Sequence, residues 1–256
     1  MPLLSNTHNA APGAPRREHL TAREDAPRAV RSFARQSLTV AAKDLRSELR
    51  TKEALNASVA FSLVILVLFS FAFDPSSEQV QEFSGGLLWL VFTFASALVL
   101  NRSFARETQN DCLDALIASP APASALFIGK ALANYALLMA VELISLPVFG
   151  IFYNVTWTTR FQPLLLVMLL GTWALTVIGT IFSALTVNLR LRELMLPTLV
   201  YPLLIPALMS AITLTTDLLA GTPINGENLI WVRVLVAFDF IFTALAAVFI
   251  DTVLVG

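Results

Sequence analysis

The chain has 256 residues, of which 56% are hydrophobic and only 14% charged, with a formal net charge of -1. Soluble domains carry about 25% charged residues, so this composition excludes an ordinary water-soluble globule, and no nucleic-acid partner is expected. A single cysteine, Cys112, rules out an intrachain disulfide.

Residues 1–36 combine Pro2, Pro12, Gly13, Pro15 and Pro27 with many arginines. So little apolar content cannot offset the entropy of ordering, and a disordered basic tail is expected. No signal peptide is expected either, because no small-residue cleavage site follows the first apolar run. From 38 to 52, Leu38, Ala41, Ala42, Leu45 and Leu49 recur at helical spacing while Lys43, Arg46 and Arg50 occupy other faces. That pattern predicts an amphipathic helix on the membrane surface, with a solvated linker helix as the alternative.

Six apolar stretches follow, at 57–73, 85–101, 131–153, 163–187, 194–216 and 230–254. A helix of roughly 20 apolar residues spans the hydrocarbon of a bilayer, where backbone amides can bond only one another. The fold class is therefore an all-α membrane protein: six transmembrane helices within a 37–256 domain, preceded by an interfacial helix. Alternate loops sort by charge. One side holds the basic tail, Arg102, Arg106, Lys130, Arg190 and Arg192; the other holds only Arg160 and Arg233. An excess of Lys and Arg marks cytoplasmic loops, which places both termini in the cytoplasm.

Several chemistries lack their residues. Around Gly129-Lys130, Ser124 stands where a phosphate-binding loop needs its first glycine, and Ala131 where Ser or Thr should follow. The two histidines, His8 and His19, both lie in the tail. A His-ligated haem or zinc within the spans is not expected, and neither is a Ser/His/Asp or Cys/His set. The chain is not expected to be an enzyme or to bind a cofactor directly.

Three features could carry coupling. The first is the inner loop 102–130, whose front half reads as a short charged helix stopped by Pro120. Leu113, Leu116 and Ile117 share one of its faces, as suits docking into a groove on a soluble partner; an interfacial helix without a partner is the alternative. The second is Glu142, deep in the third span, where an ionisable group needs a partner or a wet cavity. Asp239 is the other acid at that depth, and structural pairing, burial at a subunit contact and proton relay all remain open. The third is the set of prolines Pro147, Pro197, Pro202 and Pro206, which kink helices either to line a pathway or to fit a curved bundle.

In its order of elements the chain resembles membrane subunits of the ABC-2 permease type. More specifically it resembles the cytochrome c maturation permease family CcmB, or haem exporter protein B, over about 38–256. The resemblance is carried by Phe104, Glu107, Leu113-Asp114-Ala115-Leu116, Ser119-Pro120 and Gly129-Lys130, by Glu142-Leu143 before Leu146-Pro147, and by Leu196-Pro197 through Tyr201-Pro202 to Pro206. Cys112 departs from the glycine often found there. The resemblance implies a bacterial-type inner-membrane subunit, a homodimer within its complex, working with a CcmA-like cytoplasmic ATPase that binds the ATP. It further implies CcmC-like and CcmD-like membrane subunits and a CcmE-like haem chaperone, the haem being handled by the complex. Glu107, Asp111, Leu113, Leu116 and Pro120 would then form the ATPase-coupling element. An ABC-2 exporter of a lipid, glycan or drug, a non-cycling membrane scaffold, and an ion-coupled carrier using Glu142 are the competing readings.

Overall fold

The computed structural model describes residues 18–73, 78–103, 122–155, 157–186 and 192–255. Among them are seven α-helices: α1 (Glu18–Thr51), α2 (Glu53–Ala72), α3 (Glu78–Leu100), α4 (Ala123–Phe152), α5 (Phe161–Thr186), α6 (Arg192–Leu219) and α7 (Leu229–Val255). Six of these, α2 to α7, are long and apolar enough to cross a membrane. The chain is an all-α, multi-pass membrane protein.

Lipid replaces water as the solvent of this bundle, and the distribution of side chains follows. Val64, Phe71, Phe240, Val248 and Phe249 point outward, each more than half exposed. Such a surface would aggregate a soluble protein but suits hydrocarbon contact. Helix α5 is the central post, with 67% of its spanning window buried against 22% for α2, and it packs on α4, α6 and α7. Close approach depends on small residues. Gly171 on α5 faces the fully buried Trp89 of α3, whose ring a Cβ there would strike. The same indole donates from Nε1 to Thr215 Oγ1 on α6 at 2.9 Å. Gly85 likewise lets α3 meet α6, since a Cβ would come within 2.6 Å of the Ile212 carbonyl.

Two expectations differ from the structure. Helix α1 begins at Glu18, about twenty residues before the expected interfacial segment, so the part of the supposed disordered tail from Glu18 on is helical. Its Ala, Arg and Glu favour a helix and outweigh the interior Pro27; residues 1–17 lie outside the described set. The third spanning helix starts at Ala123, not 131, so residues 123–130 leave the expected 102–130 loop and form the first two turns of α4. Those turns hold buried Ala125, Leu126, Phe127, Gly129 and Lys130.

Candidate functional site: a polar knot at the inner ends of the helices

Lys130 lies two turns into α4 with its side chain 1% exposed. A lysine is buried this far only when paired, and its Nζ donates to Asp44 Oδ2 on α1 at 3.0 Å and to the Ser103 carbonyl at 2.9 Å. One turn along α4, the Asn134 side-chain amide donates to Ser103 Oγ at 2.8 Å and to Thr180 Oγ1 on α5 at 2.9 Å. Four segments thus converge: α1, the end of α3, α4 and α5. Ser103 immediately precedes the segment 104–121, so the knot holds the residue from which the inner loop starts. Gly129 makes it possible, because a Cβ there would sit 2.7 Å from the Ser37 carbonyl and from Val40 Cβ.

A second device joins α1 to the first span. Lys52 takes a left-handed conformation (φ 56°) between the two helices, which breaks α1 from α2 in one residue. The buried Glu48 carboxylate then accepts the backbone N–H groups of Ala54 and Leu55 at 2.7 and 3.0 Å, satisfying two orphan donors at the start of α2. Arg102 adds a surface pair with Glu53 at 2.8 Å. The elbow and the knot together tie α1 to both ends of the α2–α3 hairpin and to α4.

Within the membrane the two acids have different surroundings. Glu142 is buried and receives the Thr172 hydroxyl of α5, 2.7 Å from each carboxylate oxygen. Asp239 on α7 is buried too, and neither of its oxygens has a hydrogen-bond partner among the described residues. Tyr135 stands within electrostatic reach of both acids. Its hydroxyl donates to the Leu169 carbonyl at 3.2 Å, and its ring meets Trp173 edge-on at 5.5 Å. Trp173 in turn donates to Thr243 at 3.0 Å.

The predicted residues are distributed unevenly. Glu107, Asp111, Leu113, Leu116 and Pro120 lie outside the described residues. Pro147 sits within an unbroken α4, and Pro197, Pro202 and Pro206 within an unbroken α6. Pro147, Pro202 and Pro206 are exposed on the surface of the bundle. Ser210 donates its hydroxyl one turn back to the Pro206 carbonyl at 2.8 Å, a common serine bond within a helix. Sequence reasoning missed Asp44, Ser103, Lys130, Asn134 and Thr180 as a connected set, Glu48 as the cap of α2 and Thr172 as the partner of Glu142. The available signal was Gly129-Lys130 embedded in an otherwise apolar run, and Glu48 just ahead of a span. Among the described residues no group of three or more His, Cys, Asp or Glu could hold a metal ion.

Six helices long and apolar enough to cross a membrane, a buried polar knot that joins four segments and a capped elbow define a multi-pass membrane protein. The family model described as CcmB protein matches residues 35–253. Heme exporter protein B of Rhodobacter capsulatus is 34% identical over 166 residues, covering 65% of this chain and 76% of that protein. Its namesake in Pseudomonas aeruginosa is 30% identical over 206 residues, 80% of this chain and 91% of the relative. The one from Paracoccus denitrificans is 32% identical over 166 residues, 65% and 76%. The chain belongs to the CcmB family.

Proposed function

We propose that this chain is the membrane permease subunit of an ATP-driven complex serving haem export and cytochrome c maturation, and that its fuel comes from a separate ATPase subunit. Membership of the CcmB family, whose relatives are named heme exporter protein B, supports the transport role. The observation that carries the coupling role is Lys130, whose one ammonium holds both α1 and the root of the inner loop. A push on the loop at Ser103 would reach α1 through Lys130 and Asp44, and α5 through Asn134 and Thr180. In this reading Glu107, Asp111, Leu113 and Leu116 seat in a groove of a CcmA-like ATPase, and Pro120 ends the docking helix. CcmC-like and CcmD-like subunits complete the membrane assembly, this chain sits in it as a homodimer, and a CcmE-like chaperone receives or carries the haem.

Haem is cargo of the assembly in this reading, not a resident of this chain. The sequence places no histidine in any span, so the usual axial ligand is not available within the bundle. The chain's own contribution is mechanical. Deleting Leu113 to Ile117 tests it: the variant should insert into the membrane normally and fail to recover the ATPase subunit on co-purification. Undiminished recovery would overturn the docking assignment.

A further inference from the structure

Over residues 31–50, helix α1 has three sides, and one of them packs on the described part of the bundle. Ser37, Asp44 and Glu48 turn inward. Next to that side, Leu38 and Leu49 are 61% and 51% exposed. Beyond them Arg31, Arg35, Arg46 and Arg50 are all exposed, and they make no ion pair with a described residue. These cations and Leu38 line one continuous trough along the helix.

We infer that this trough is a binding surface for anionic phospholipid of the cytoplasmic leaflet. Its height relative to the membrane is fixed by covalent geometry, because a single residue, Lys52, separates the end of α1 from the spanning helix α2. The contact of Gly129 with Ser37 and Val40 holds the middle of α1 at the inner end of α4. A helix pinned at that level, with bare leucines beside a row of arginines, matches the bilayer interface: leucines enter the acyl boundary while guanidinium groups meet phosphates. Arginine is suited to this because its planar fork bonds phosphate oxygens in pairs. An acidic protein groove would complement the arginines but would leave the leucines beside them in water. Lipid binding would steady α1, the same helix that the Lys130 knot ties to the loop, so headgroup charge becomes a setting on the mechanism. The inference does not depend on an ATPase partner.

The test uses the full chain reconstituted in phosphatidylcholine bilayers containing phosphatidylglycerol, with spin-labelled versions of each lipid reporting the fraction immobilised on the protein. The native chain should prefer phosphatidylglycerol by about threefold or more, with the preference weakening in high salt. Replacing Arg35, Arg46 and Arg50 together by Gln should bring the ratio close to unity, while the matching Lys replacements should keep most of it. The Lys variant controls for folding. No preference in the native chain, or an unchanged preference in the Gln variant, overturns the inference. Loss of ATPase-subunit recovery in the Gln variant with lipid preference intact would assign the stripe to a protein and overturn it as well.

Discussion

Lys130 places one ammonium against oxygens from two segments, Asp44 and the Ser103 carbonyl. Replacing it by Met keeps the volume and removes the charge, leaving Asp44 and a backbone carbonyl without their donor. The cost should be about 1–3 kcal/mol, the usual penalty for stranding a buried partner, read as a lowered thermal midpoint in detergent. A double-mutant cycle with Asp44→Asn should show coupling of about 0.5–3 kcal/mol; additive effects would mean that the pair is not a unit. Glu142 predicts the opposite pattern. Its carboxylate only accepts the Thr172 hydroxyl, and an amide oxygen can do the same, so Glu142→Gln should keep full activity in a cytochrome c maturation assay. An inactive Gln variant would point to a titrating role. At this scale the sequence was partly legible. Glu142 stands out in an apolar run because a charge in lipid is costly. Lys130 did not, since a lysine next to an inner loop satisfies the charge rule whether it is solvated or buried.

Between elements, the elbow from α1 to α2 is the clearest local design. Glu48 caps α2 from six and seven residues upstream, with its acceptor aimed at Ala54 and Leu55. Glu48→Ala should cost about 1 kcal/mol, as lost N-caps do, and Glu48→Gln should recover part of it because an amide oxygen also accepts. The measurement is thermal unfolding of the purified variants, and equal loss for both would show that the charge, not the hydrogen bonds, matters. Gly129→Ala should separate α1 from α4, because backbone and Val40 stand 2.7 Å from the added carbon. Helix ends are where sequence reading fell short. Hydropathy reports the hydrocarbon width, whereas α4 starts where Pro122 ends the preceding chain and α2 where Lys52 turns, and both begin before the apolar run. The starting residue of α1 was illegible for a related reason: propensity extends a helix where no apolar period marks it.

For the whole molecule, the inner loops carry most of the positive charge and the outer side only Arg160 and Arg233. A fluorescent reporter fused to either terminus should therefore fold and fluoresce in cytoplasm, and a periplasm-dependent phosphatase fused after Asn225 should be active. The reverse result at any of these positions would break the topology. Six spans and their order were readable from twenty-residue apolar runs, because lipid imposes a length that few other environments do. The convergence of α1, α3, α4 and α5 was not, since Ser103, Asn134 and Thr180 are ordinary polar residues until the fold brings them together. The central claim is that energy enters through the inner loop from a partner. Cys112, the sole cysteine, lies in that loop and can carry a photoactivatable cross-linker without any substitution. In the assembled complex it should cross-link to the cytoplasmic ATPase subunit, and Cys112→Ser should abolish the product. Cross-links to lipid alone, or a purified chain that hydrolyses ATP unaided, would contradict the account.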